Sequence, residues 1–134
     1  MRLYIDSSAI LKRIFEEAES RAFADEVEGW LRDGGSLFAS SLAWVEVSRA
    51  LLTRGRAAGD EQLVEDAFDD VYEHYISPEV VSLARRVNPT QLRSLDAIHL
   101  ASALLLDVDA IVTYDDRLAA ACGGNNLTAA APGR

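Results

Sequence analysis

The sequence predicts an α/β fold in which short parallel strands form a sheet covered by helices on both faces. Three observations carry this. The segments L-Y-I, L-F-A and A-I-V-T are short and apolar throughout, as strands buried on both faces are. Each is followed by a stretch with helical spacing of its apolar residues. Serines, a Gly-Gly pair and an Asn-Pro pair then punctuate the boundaries between them. Alternation of this kind defines the class. The chain of 134 residues shows no repeat, linker or shift in composition, so a single domain over residues 1–134 is expected.

The elements follow in order. Leu3–Ile5 reads as a strand, and Asp6 stands where it ends. Ser7 or Ser8 is the expected N-cap of a helix carrying Ala9–Phe15. Glu19–Asp33 holds Ala22, Phe23, Val27, Trp30 and Leu31 as a helical stripe, and Gly34-Gly35 breaks it. Leu37–Ala39 is a second strand, with Ser40-Ser41 capping a helix to about Arg54. Gly55–Asp60 reads as a turn and Gln62–Val71 as a helix. Tyr75-Ile76 is the expected third strand, closed by Ser77-Pro78, where proline suits the first position of a helix running to about Val87. Asn88-Pro89-Thr90 ends that helix. Ser94–Leu106 is the most regular helix. Ala110–Thr113 is the fourth strand, Arg117–Cys122 a short helix stopped by Gly123-Gly124, and Leu127–Ala130 a last strand.

Composition narrows the function classes. A net charge of −9 argues against broad, sequence-independent binding of nucleic acid, though an acidic cleft can meet a polyanion through bound cations. Lys12 is the single lysine among 13 basic residues. The apolar run Ala103–Leu106 is too short to span a membrane and is stopped by Asp107. The N-terminal M-R-L-Y-I-D lacks the apolar stretch of a signal peptide, and Cys122 has no internal partner, so a reducing cytoplasm is expected.

The acids are more informative. In open α/β sheets, ligands bind beyond the carboxyl ends of the strands, where strand order reverses. Asp6 lies at such an end, and so does Asp115 in T-Y-D-D. Glu46 sits on an otherwise apolar helix, sharing an arc with Leu42, Arg49 and Thr53. Either it pairs with Arg49 one turn on, or it points into a solvated pocket. Asp96, in L-R-S-L-D-A-I-H-L-A-S-A, suits the helix dipole in a first turn or belongs to a site. A lone histidine in an apolar helix is usually a hydrogen-bonded core residue, so His99 is expected to brace Asp96 or touch substrate. Asp107 and Asp109 precede the fourth strand and read as turn residues at the sheet's other end. Glu16, Glu17 and Glu19 read as a solvated helix end. Asp116 adjoins Asp115 and could replace it or bind a second ion.

Four close carboxylates repel unless a cation joins them. Carboxylate and water ligands suit Mg²⁺ or Mn²⁺, and Mg²⁺ favours a few carboxylates together with substrate phosphates. Phosphodiester chemistry follows more readily than acyl or glycosyl chemistry. A receiver-type phosphoacceptor would want a lysine after a later strand, and a haloacid-type phosphatase an aspartate where Ser8 stands. Neither is present.

The stretches I-D-S-S-A-I-L-K, S-S-L-A-W-V-E-V-S-R-A-L, L-R-S-L-D-A-I-H-L-A-S-A and V-T-Y-D-D-R-L together resemble the PIN-domain ribonucleases, specifically VapC-type toxins of toxin–antitoxin pairs. The resemblance runs from Leu3 to the A-A-P-G at 130–133. It implies a three-layer α/β/α sandwich with strand order 3-2-1-4-5, which sets the first and fourth strands side by side. It also implies Mg²⁺- or Mn²⁺-dependent endonucleolytic cleavage of RNA, a homodimer, inhibition by a cognate VapB-type antitoxin, and a larger assembly with it. Asp6, Glu46 and Asp96 match the family's core acids, Asp115 the more variable fourth, and Ser8 the hydroxyl supporting the first. Arg93 and Arg117 are candidates for RNA phosphate contacts, unless each pairs with a nearby acid. The competing expectation is a PIN-fold protein-binding module with weak or absent catalysis.

Overall fold

The computed structural model describes residues 1–55 and 60–134 of the chain; the expected turn at Gly55–Asp60 lies largely outside them. Five strands form one parallel sheet: β1 (Arg2–Ile5), β2 (Ser36–Ser40), β3 (Val71–His74), β4 (Ala110–Val112) and β5 (Thr128–Ala130), in the order β3-β2-β1-β4-β5. β1 is central, pairing Leu3 with Leu37 on one side and with Ala110 on the other. The chain therefore starts in the middle of the sheet and builds outward in both directions. Strand order reverses between β1 and β4, which is where a crevice opens.

Alternation along the central strands makes the layers. Leu3, Ile5, Leu37, Ala39 and Val112 face a core shared with Phe23 and Val27 of α2 (Ser20–Arg32) and with Ala43, Val47 and Leu51 of α3 (Ser41–Thr53). Tyr4 and Ile111 face the opposite core. There they meet Leu100 and Ala103 of α6 (Ser94–Leu105) and Leu118, Ala121 and Cys122 of α7 (Asp116–Gly124). Burial on both faces is why these strands read as continuous apolar runs. The result is the α/β/α sandwich with the expected strand order. Among the described residues, no helix is long and apolar enough to cross a membrane.

Several elements differ from the sequence expectation. The third strand is Val71–His74, not Tyr75-Ile76, and the preceding helix, α4 (Glu61–Ala67), ends four residues before it. Arg13 explains the early stop: its guanidinium donates to the Ala67 carbonyl at 2.8 Å and to Asp70 at 2.6 Å, clamping the turn between α4 and β3. The first helix is also shorter than expected. α1 covers only Ser7–Ile10, and a 3₁₀ turn over Leu11–Arg13 completes it. Its N-cap is Asp6 itself rather than Ser7 or Ser8. The Gly34-Gly35 break is real: Gly34 takes a φ of +86° just past α2, and a Cβ on Gly35 would stand 2.7 Å from the Trp30 carbonyl oxygen. Gly123 and Gly124, by contrast, do not stop α7, which includes both. The remaining helix, α5 (Pro78–Ala84), starts at Pro78 with Ser77 as its N-cap.

Candidate metal centre

Asp6 leaves β1 and caps α1 in one step. Its Oδ1 accepts from the Ala9 amide at 3.0 Å and from the Ser8 hydroxyl at 2.6 Å, and its Oδ2 accepts from the Thr113 hydroxyl. A carboxylate offers about four acceptor positions. Three are used, leaving one on Oδ2. The Ser8 and Thr113 hydroxyls also tie the two strand ends together. Ser8 Oγ accepts from the Tyr114 amide at 2.9 Å, and Thr113 Oγ1 from the Asp115 amide at 3.0 Å. The turn after β1 and the turn after β4 are thereby locked into one unit around a buried carboxylate.

Asp115 caps α7, its Oδ1 accepting from the amides of Arg117 (2.9 Å) and Leu118 (3.3 Å). Among the described residues its Oδ2 takes no hydrogen bond. Asp116 turns away: its side chain is 92% exposed and pairs with Arg134 at 3.0 Å, outside the cluster. Asp96 lies in the first turn of α6, half-buried, and its carboxylate takes no hydrogen bond among the described residues. It does not cap its own helix, so dipole stabilisation is all that the local role supplies.

Glu46, on α3, does not pair with Arg49. It meets His99 Nε2 at 2.5 Å instead. His99 is buried and does not brace Asp96, as the sequence suggested; it braces Glu46. Its Nδ1 lies 2.6 Å from the Tyr4 hydroxyl, and that oxygen accepts from the Ser40 amide at 3.2 Å. Burial pushes the Tyr4 phenol well above its usual range, so it keeps its proton. Only one arrangement gives every donor in this chain an acceptor. Ser40 N–H donates to Tyr4, Tyr4 O–H to His99 Nδ1, and His99 Nε2–H to Glu46.

The Asp96 carboxyl is raised above its ordinary range, first by burial and then by the negative charges of Asp115, Glu46 and Asp6, with His99 opposing. The charges of three acids from other elements thus act on Asp96. Asp6 is raised too, chiefly by burial, which outweighs its hydrogen bonds from Ser8, Thr113 and Ala9 and any positive charge on His99. Among the described residues, no group of three or more His, Cys, Asp or Glu side chains is placed so that it could hold a metal ion. Mg²⁺ does not ask for such a group, since it keeps several waters and takes one or two carboxylates. The free Oδ2 position on Asp6, the unbonded Asp96 carboxylate and the all-oxygen donor set fit such an ion.

Arg93, at the N-cap position of α6, and Arg117, in the first turn of α7, are both exposed. Among the described residues neither forms an ion pair, so the competing expectation of a local partner is not met. Other charges behave differently from them. Lys12 is tied to Glu19 at 3.0 Å and Glu17 at 3.4 Å, so those acids are not simply solvated. Asp109 binds the Arg2 amide at 2.7 Å at the opposite end of the sheet, as a turn residue should.

Sequence reasoning missed Thr113, Tyr4 and Ser40. A hydroxyl closing the buried strand A-I-V-T was a usable signal for Thr113. The tyrosine in L-Y-I, a polar tip in a fully buried strand, was a usable signal for Tyr4.

A parallel sheet whose strand order reverses beside a set of acids defines an open α/β class with a crevice at the reversal point, and the comparisons specify the family. The model of the PIN domain matches residues 3–124, and the chain belongs to that family. Ribonuclease VapC46 of Mycobacterium tuberculosis is 39% identical over 132 residues, with 97% of each chain covered. Ribonuclease VapC47 of the same species is 33% identical over 98% of this chain and 97% of its own. Among solved structures, VapBC2 from Rickettsia felis bound to a promoter DNA fragment superposes with a TM-score of 0.75. The match covers 98% of both chains at 11% identity, a likeness of fold.

Proposed function

We propose that this PIN-domain protein is a VapC-type endoribonuclease toxin, cytoplasmic and held in check by a VapB-type antitoxin. Its relatives named ribonuclease VapC support the activity, and solved VapBC complexes of the same fold support the partner. The observation that carries the reading is geometric: Asp6 and Asp115 follow the adjacent strands β1 and β4 at the sheet's reversal point, their turns locked together through Ser8 and Thr113, and Asp96 feels the charge of both and of Glu46.

Asp6 and Asp96 are the principal ligands of a Mg²⁺ or Mn²⁺ ion, and Glu46 and Asp115 bind or orient water and a second ion. The ion supplies an activated water and neutralises charge on the RNA phosphate. The protein's own contribution is positional. Ser8 and Thr113 hold Asp6, the Tyr4–His99 chain holds Glu46, and the α7 amides hold Asp115. Arg93 and Arg117 receive phosphates of the RNA. Homodimerisation and antitoxin binding need apolar surface. Val45 and Leu52 are exposed seven residues apart on α3, and Tyr72, Tyr75 and Ile76 are exposed along the β3 edge.

The defining experiment is cleavage of structured RNA by the purified protein. Cutting in Mn²⁺ that stops with EDTA is expected. A protein that folds and binds antitoxin but never cuts would be the binding module instead.

Ion binding should also leave a signature in stability. Because the folded carboxyls of Asp6 and Asp96 hold protons more tightly than unfolded ones, with ordinary values near 3.9, the metal-free fold loses stability as pH rises through that window. A cation binding the deprotonated acids restores it. The rise in Tm on adding Mn²⁺ should therefore be larger at pH 7.5 than at pH 5. Equal shifts at the two pH values would count against an ion on these acids.

A further inference from the structure

Beside the acidic cleft lies a separate hollow of about 380 Å³, lined by Pro89, Gln91, Leu92, Arg93 and Arg117. Its size falls in the range of small-molecule sites, about 300–1,000 Å³. From this hollow we infer a subsite for one unpaired nucleotide of the RNA, its base packed on Pro89 and Leu92 and its phosphate held by Arg93 and Arg117. The inference rests on the ribonuclease reading and specifies how that cleft engages its substrate.

Position is the first support. Arg93 precedes Asp96 by three residues at the start of α6, and Arg117 follows Asp115 by two at the start of α7. The hollow is therefore built from the same two helix starts that carry two of the four acids. Charge is the second. In a protein of net charge −9, these two guanidiniums have no ion-pair partner among the described residues, whereas Arg13 and Arg134 do. Unpaired arginines beside a cluster of carboxylates raise the local potential for an anion that the acids alone would repel.

The floor is the third. Leu92 is half-buried against the core formed by Leu100, Ile111 and Leu118, so its exposed side is a fixed apolar surface rather than a mobile one. Asn125 pins the segment further: its side-chain amide donates to the Asn88 carbonyl at 2.9 Å and to the Ala121 carbonyl at 2.8 Å, fastening the 88–93 stretch to α7. A hollow lined by apolar side chains and two arginines suits a splayed-out base, which stacks on arginine planes and apolar groups. A paired base in an A-form helix cannot reach such a surface. The subsite therefore selects single-stranded or looped RNA.

The test uses Asp96→Asn as a non-cutting background and follows binding of a short fluorescent RNA by anisotropy across a salt series. Arg93→Ala with Arg117→Ala should weaken binding at least tenfold. It should also lower the salt slope by about 0.7 for each phosphate that is no longer neutralised. The charge-matched control Arg21→Ala with Arg32→Ala, on the exposed face of α2, should change binding less than twofold. An oligonucleotide with one base removed should bind the background protein several-fold more weakly at one register and lose nothing further in Leu92→Ala. Because Leu92→Ala could perturb folding, the intact-against-abasic comparison in the background protein stands without it. Equal losses from both arginine pairs, or no penalty for any abasic position, overturn the subsite. If the wild type cuts RNA in Mn²⁺ and yet those results are negative, the subsite fails while the ribonuclease reading stands. If the wild type neither cuts nor binds RNA, both fall.

Discussion

Purified Asp96→Asn protein is expected to lose at least about a hundredfold of its Mn²⁺-dependent RNA cleavage while keeping its fold, and Asp6→Asn to do the same. The loss follows from removing a ligand charge, since metal stabilisation of a phosphoryl transition state is worth several kcal/mol and each 1.36 kcal/mol is a factor of ten. Retention of fold follows from local geometry. Asp96 takes no hydrogen bond among the described residues, so an amide there leaves no donor stranded. At position 6 an asparagine oxygen can still accept from Ser8 and the Ala9 amide, and its NH₂ can donate to Thr113 Oγ1. Both carboxyls are disfavoured as anions in the metal-free fold, so Asp96→Asn should not lower the Tm measured in EDTA. Asp6→Asn takes the acceptor from the buried Thr113 hydroxyl proton, an opposing cost of about 1–3 kcal/mol that lowers the Tm without unfolding the protein. Circular dichroism, a Tm in EDTA and a cleavage time course on the same samples check all three points. Full cleavage by Asp96→Asn that remains sensitive to EDTA would remove this residue from the ligand set.

The second large effect concerns Glu46. His99→Leu should reduce cleavage about 10–100-fold, the usual cost of removing a group that orients a metal-binding side chain. It should also raise the Mn²⁺ concentration needed for half-maximal rate. His99→Leu leaves the Tyr4 hydroxyl proton without an acceptor in the core, at about 1–3 kcal/mol of stability. Stability alone therefore cannot diagnose the role. His99→Gln can, because its side-chain NH₂ can still donate toward Glu46. Glutamine should recover most of the activity and of the Mn²⁺ response that leucine loses. If leucine and glutamine behave alike in rate and in Mn²⁺ requirement, His99 only fills space.

Much of the fold was legible because its central strands are buried on both faces. L-Y-I, L-F-A and A-I-V leave no polar alternation to confuse them, while the sheet order came from the family resemblance and not from the strands themselves. β3 was misplaced for the converse reason. It is an edge strand whose Tyr72 and Glu73 are exposed, so V-Y-E-H carries no apolar run, and Tyr75-Ile76 looked the better candidate. The four candidate acids were chosen for their places at strand ends and on apolar helices. Their supports were not legible in the sequence. Thr113 lies 107 residues from the Asp6 it holds, and Tyr4 lies 95 from His99, so only the folded sheet makes them neighbours. His99, one turn after Asp96 on the same helix, was expected to brace it or touch substrate. The partner it found is Glu46, on the facing helix.

The most direct measurement is a crystal grown with Mn²⁺ and recorded at the manganese absorption edge. An anomalous peak bridging the Asp6 and Asp96 carboxylates, with Glu46 or Asp115 reaching it directly or through water, is the expected result. Carboxylates that bind no ion at concentrations supporting RNA cleavage, or manganese bound elsewhere on the chain, would contradict the proposed centre.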